Sequence, residues 1–198
     1  MGVMLNWLGR ICAAAVVFTG TGVSWAGGLN VFEGDLTRLA QARLTAIAAA
    51  DVVVEAVRAQ NKVTASYNQA RIEELDATWR HEVANGARAL VDEILDRPVS
   101  RYLAQTQEAS DGLFTEIIVM DGKGLNVGLS QATSDYWQGD EDKWRMTVPV
   151  GPQALHIGPL EEDESTQTVQ SQVSIPVVDP QTGAVIGALT VGVDVEEI

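Results

Sequence analysis

The segment TSDYWQGDEDKW, Thr133 to Trp144, gathers three aromatic rings, four carboxylates and one lysine in twelve residues. The whole chain is only 6% aromatic, so the concentration is local. Tyr136, Trp137 and Trp144 can wall a pocket, because each ring combines a large apolar face with one polar handle. Such faces attract cations by about 0.5 to 2 kcal/mol per good contact. Asp135, Asp140 and Glu141 can fix a ligand amine. Lys143 can pair with a ligand carboxylate or with Glu141, and Gln138 completes the candidate set. An acid buried in a pocket needs a cation or water beside it, since an unpartnered buried carboxylate is costly. The competing reading is that the rings are core and the acids solvated, as most aromatics are core.

Other chemistries find little support. The acids could offer oxygen ligands to calcium, but D-x-x-x-x-D-E-D lacks the alternating spacing and fixed glycine of an EF-hand. His81 and His156 lie far apart in sequence, with no spacing that reads as a zinc site. There is no G-x-S-x-G elbow. The glycines of GKGLNVG, residues 122–128, lack the strand-to-helix context of a phosphate-binding loop. The expectation is therefore no enzyme, no metal and no cofactor.

The elements that must position these residues change character along the chain. From Asp35, a plausible N-cap, the apolar residues Leu36, Leu39, Leu44, Ile47, Val54 and Val57 recur at helical spacing. This predicts one long helix to about Gln60. Further helices are predicted over Gln69–Asn85, Ala87–Asp96 and Val99–Glu108, separated by Asn85-Gly86 and Pro98. Beyond Gly112 the period changes. LFTEIIVMDGKGLNVGLS reads as a hairpin about Asp121–Gly124. Further strands are predicted from Ala154 to Leu160 and over TQTVQSQVSIPVVD and GAVIGALTVGVDV, the last two joined by the turn DPQTG. In TQTVQSQVSIPVVD the apolar residues alternate with Gln and Ser, so one face is buried and the other is wet or faces a pocket. The fold class is α+β: an N-terminal helical stretch followed by an antiparallel sheet of four to six strands.

The N-terminus reads as separate from this domain. Arg10, the apolar run Ile11–Phe18 and the small residues of VSWAGG have the layout of a secretory signal peptide cut after Ala26. An uncleaved anchor is the alternative, although the apolar run is short for a membrane span. The expected domains are thus 1–26, a signal peptide, and 27–198, a single domain in the periplasm or outside the cell. Cleavage would remove the only cysteine, Cys12, and with it disulfide and thiol chemistry. It would also remove one base and no acid, taking the formal charge from −14 to −15. Nucleic acid and anionic membrane surfaces both repel such a chain.

The blocks EIIVMDGKGLNVGLS, TSDYWQGDEDKW and GPLEEDESTQTVQSQVSIPVVDPQTGAVIGALTVGVDV, with the long helix near Asp35, resemble the Cache (PDC) domains over about residues 30–198. These are PAS-like extracytoplasmic sensor domains with a long N-terminal helix and a central antiparallel sheet. The resemblance implies a pocket between the sheet and the segment that crosses it after the first hairpin, which is where Thr133–Trp144 falls. It also implies that Asp194, near the end of the last strand, contacts the ligand. Two departures stand out. The chain stops at Ile198, without the second membrane helix and signalling module of the receptors. The arginine–tryptophan–tyrosine pattern of the amino-acid-binding members is missing, so an amino-acid ligand is not implied. The expectation is an exported, non-enzymatic sensor that binds a small amine or carboxylate. It would report occupancy to a partner protein, or as a homodimer, through the N-terminal helix. The alternative is an accessory subunit of an envelope complex with no small-molecule ligand.

Overall fold

A computed structural model describes residues 30–163 and 168–198. The proposed signal peptide and its cleavage point lie outside the described residues.

The N-terminal helical stretch is not the single helix its periodicity predicts. It consists of α1 (Glu33–Leu39), a π-helical turn (Ala40–Leu44), α2 (Thr45–Ala48) and α3 (Asp51–Thr64). In the π turn the Thr45 hydroxyl donates to the carbonyls of Ala40 (2.9 Å) and Gln41 (3.0 Å). The break falls at Ala50, whose ψ of 135° is extended. No glycine or proline marks it. Asp51 places a carboxylate in the first turn of α3, where the helix dipole favours one, and the β-branched run Val52–Val54 follows. The predicted apolar positions hold nevertheless: Leu36, Leu44, Ile47, Val54 and Val57 are all buried. Asp35 is not the N-cap. It lies within the first turn and pairs with Arg38.

The remaining helices follow the sequence signals closely. The Asn68 side chain caps α4 (Gln69–Asn85) by accepting from the Arg71 amide at 3.0 Å. Gly86 ends that helix at φ 75°, as the Asn-Gly pair predicts. α5 spans Ala89–Leu95, and α6 (Pro98–Glu108) begins on its proline, where the missing N–H costs nothing.

Five antiparallel strands form one sheet: β1 (Phe114–Asp121), β2 (Asn126–Leu129), β3 (His156–Asp163), β4 (Thr168–Val178) and β5 (Val185–Asp194). Their spatial order is β2-β1-β5-β4-β3. One face presents Ile117, Val119, Val173, Ile175, Val177, Leu189, Val191 and Val193 to a core shared with the N-terminal helices and α6. The opposite face starts apolar at the β1–β2 edge. There Ile118, Met120 and Leu129 pack with Trp79, Ile72 and Ile94 of α4 and α5. Toward β4 it becomes polar: the Ser174 and Thr190 hydroxyls bond each other at 2.8 Å, and Gln172 donates to Glu116 at 2.7 Å. The last helix, α7 (Asp142–Arg145), lies over this polar half.

Asp179 ties the β4–β5 turn to α3. It accepts from the Arg58 Nε at 2.8 Å and from the amides of Gln181 (2.8 Å) and Thr182 (3.3 Å). The Arg58 guanidinium holds this carboxyl down to about 2, against the opposing effect of burial, and the two amides assist. A depressed carboxyl stabilises the fold above its unfolded value of about 4, and that contribution is lost as pH falls toward about 2. The resistance of wild type to chemical denaturation should therefore fall between about pH 4 and pH 2, and Asp179→Asn should flatten that part of the profile. Parallel profiles for the two proteins would refute the assignment.

Candidate functional site

The segment after the first hairpin is bound tightly to the hairpin itself. Leu125 and Trp137 form an isolated antiparallel bridge. The Trp137 indole donates to the Lys123 carbonyl at 2.9 Å, and the Trp144 indole donates to the Asp121 carbonyl at 3.1 Å. Two glycines permit the crossing. A side chain at Gly124, where φ is 85°, would overlap the backbone of Gly139, and one at Gly139 would overlap the Trp137 ring. From α4, Asp76 accepts from the amides of Tyr136 (2.9 Å) and Trp137 (3.1 Å). The Trp79 indole donates to the Thr133 carbonyl at 2.9 Å, and its ring stacks on Tyr136 with centroids 5.5 Å apart.

These contacts divide five of the predicted residues into three groups. Trp137 and Trp144 pack against the α4–α5 core cluster, with both indole N–H groups spent on hairpin carbonyls. Asp135 and Gln138 serve the loop. The Asp135 carbonyl accepts from Asn126, Thr133 and Gln138, and Gln138 is 1% exposed. Tyr136 faces a hollow between the helices, away from the acids.

Asp140, Glu141 and Lys143 do come together. With Asp142 they form one wall of a hollow of about 350 Å³ between α7 and the polar half of the sheet. Its sheet side is built from His156, Gly158, Pro159 and Glu161 of β3 and Gln172 of β4. A bulge between Ile157 and Leu160 bends β3 there. Glu141 and Lys143 form a 3.0 Å ion pair in which Lys143 is nearly enclosed. Burial raises the Glu141 carboxyl above its usual range, and Lys143 only partly opposes this. Burial likewise lowers the His156 imidazole, with Asp142 pulling the other way. Four acids therefore face one lysine and a histidine that favours its neutral form. Such a hollow is electrostatically suited to a small cation.

Asp194 lines none of the hollows described. It sits at the far end of β5, where its carboxylate accepts from the Glu196 amide at 2.9 Å. Sequence reasoning missed His156, Gly158, Glu161 and Gln172. The signal for Gln172 was present in the Gln170, Gln172, Ser174 alternation of β4. His81 is exposed on α4, remote from His156 on β3, and among the described residues no cluster of three His, Cys, Asp or Glu is arranged to hold a metal.

No family model and no curated protein matches the chain. Solved structures do. One is the sensor domain of the histidine kinase DctB of V. cholerae, at 13% identity over 84% of this chain and 58% of that one, with a TM-score of 0.39. Another is the ligand-binding domain of the Campylobacter jejuni chemoreceptor Tlp3 in complex with 4-methylisoleucine, at 14% identity over 85% and 62%, TM-score 0.38. A third is the ligand-binding domain of the Pseudomonas aeruginosa amino acid chemoreceptor PctC in complex with GABA, at 16% identity over 63% and 60%, TM-score 0.40. The chain spans about three-fifths of the length of these domains. Among the described residues no helix is long and apolar enough to cross a membrane.

Proposed function

We propose that the protein is an exported, non-enzymatic sensor domain of Cache type, and that it binds a small amine-bearing solute between α7 and the β3–β4 edge of the sheet. The observation that carries this reading is the hollow itself. It is about 350 Å³, within the lower range of small-molecule sites, and an acid-rich wall faces a polar sheet floor. Glu141 and Asp140 take the amine, and Gln172 and His156 supply neutral hydrogen-bonding groups. Occupancy shifts a conformational population, because a ligand that spans α7 and the sheet stabilises the arrangement that closes them together. The readout passes to a partner protein, or across a homodimer, through the N-terminal helical stretch. In this reading residues 1–26 act as a signal peptide and the domain works in the periplasm or outside the cell.

The test is a thermal-shift comparison with putrescine and related small amines. Wild type should gain stability by mass action, about 2.7 kcal/mol at a hundredfold excess over Kd. Glu141→Gln and Gln172→Leu should each lose most of that gain while keeping the starting midpoint within a few degrees. The sign with pH follows from Glu141. Its carboxyl is raised, so amine binding should fall at a higher pH than an ordinary glutamate would dictate. If no small amine stabilises wild type, or if both variants respond as wild type does, the site is wrong. The accessory-subunit reading then becomes the better one, with the packing of Trp137 and Trp144 as its support.

A further inference from the structure

We propose that a second hollow, between α3 on one side and α4 and α5 on the other, binds an uncharged, mainly apolar molecule carrying a single oxygen. The hollow measures about 580 Å³ and is walled by Val52, Ala56, Val63, Leu75 and Leu90. Val63, in the last turn of α3, is 59% exposed at the mouth of the hollow.

Its inner end carries one uncommitted polar group. Tyr136 is only 5% exposed, its ring is stacked on Trp79, and its amide is clamped by Asp76. Tyr136 lines the hollow, and its hydroxyl makes no hydrogen bond among the described residues. A hydroxyl free of protein partners on a ring held this firmly is a ready anchor for a ligand atom. Burial raises this hydroxyl well above its usual range, against the pull of Arg97, so it remains a neutral donor.

The charges around the hollow decide the ligand class, because each cation is already matched. Arg97 donates to Gln60 (2.7 Å), to the Val127 carbonyl (3.1 Å) and to Glu93 (3.0 Å). Arg71 pairs with Glu74 at 2.7 Å. A charged head group at the inner end, beside Tyr136, would give up its water without gaining a free partner there. Exposed Glu55 at the rim adds repulsion against an anion. A neutral oxygen meeting the Tyr136 hydroxyl meets none of these costs. This site shares no residue with the hollow beside α7 and does not depend on it.

Four probes with one ring and different heads test this on the full chain by titration calorimetry: cyclohexanol, cyclohexanone, cyclohexanecarboxylate and cyclohexylamine. The two neutral probes should bind and the two charged ones should bind at least tenfold more weakly. Tyr136→Phe should weaken cyclohexanol roughly five- to tenfold, the loss of one hydrogen bond. It should leave the thermal midpoint within about 2 °C, because the hydroxyl has no partner in the protein. Ala59→Trp, on the exposed side of α3 lining the hollow, should block both neutral probes. Preferred binding of either charged probe would overturn the proposal. So would failure of all four to bind, or unchanged cyclohexanol affinity in Tyr136→Phe.

Discussion

Asp121→Ala should lower the thermal midpoint by roughly 10 °C, from a loss of about 3 to 5 kcal/mol. Asp121 is fully buried at the end of β1. One carboxylate oxygen accepts from the amides of Lys123 (2.8 Å) and Leu125 (3.0 Å), which shapes the hairpin turn. The other accepts from the Thr64 hydroxyl (2.8 Å) and the Gln60 amide (3.3 Å), which docks α3 onto the same turn. Alanine would strand the Lys123 and Leu125 amides and release Gln60 and Thr64 to their remaining backbone acceptors, and a stranded buried donor costs more than the hydrogen bond it made. Asp121→Asn keeps the shape but replaces one acceptor with a donor, so it should fall between alanine and wild type. Thermal and urea unfolding of the three proteins measure this. An alanine variant within about 1 kcal/mol of wild type would show that Asp121 does not organise the hairpin.

Trp79→Ala should cost about as much, roughly 3 to 5 kcal/mol, by emptying a fully buried site. It should also do something Asp121→Ala does not. Trp79 is one of two α4 side chains that hold the crossover, through its bond to the Thr133 carbonyl and its stack on Tyr136. Asp76 is the other, through the Tyr136 and Trp137 amides. Loss of the ring should therefore raise amide exchange specifically across Thr133–Trp137, beyond the global change. Trp79→Phe should restore most of the stability but not the full protection of the Tyr136 and Trp137 amides, because the indole bond that pins the start of the crossover at the Thr133 carbonyl is gone. Uniform exchange acceleration over the whole domain would contradict that division of labour.

The two variants also mark how much of this molecule its sequence discloses. The change from a 3.6-residue to a two-residue period at Gly112 is plain, and five strands with their turns follow from it. The helix boundaries at Gly86 and Pro98 were equally legible, because a positive φ and a missing N–H are local properties. The break at Ala50 was not. Ala, Val and Asp are all acceptable within a helix, so nothing local marks it.

The candidate site was half legible for a similar reason. Composition picked out Thr133–Trp144, and Asp140, Glu141 and Lys143 do line a hollow. Composition cannot say which way a ring turns. The indole N–H groups of Trp137 and Trp144 are taken by hairpin carbonyls, and Tyr136 opens onto the opposite hollow. Asp194 was placed by resemblance alone; the register pairs it with Gln170, and it lines none of the hollows described. The sheet side of the hollow depends on which strand lies at the edge, and the order β2-β1-β5-β4-β3 is a long-range property.

The most direct test of the central claim is amide chemical-shift mapping with putrescine on the full chain. Perturbations should concentrate at residues 140–143, at Gly158 and Glu161, and at Gln172, saturating together with one dissociation constant. If no amide shifts, or if the shifts lie along α3, α4 and α5 while the β3–β4 edge stays silent, then no amine site exists beside α7.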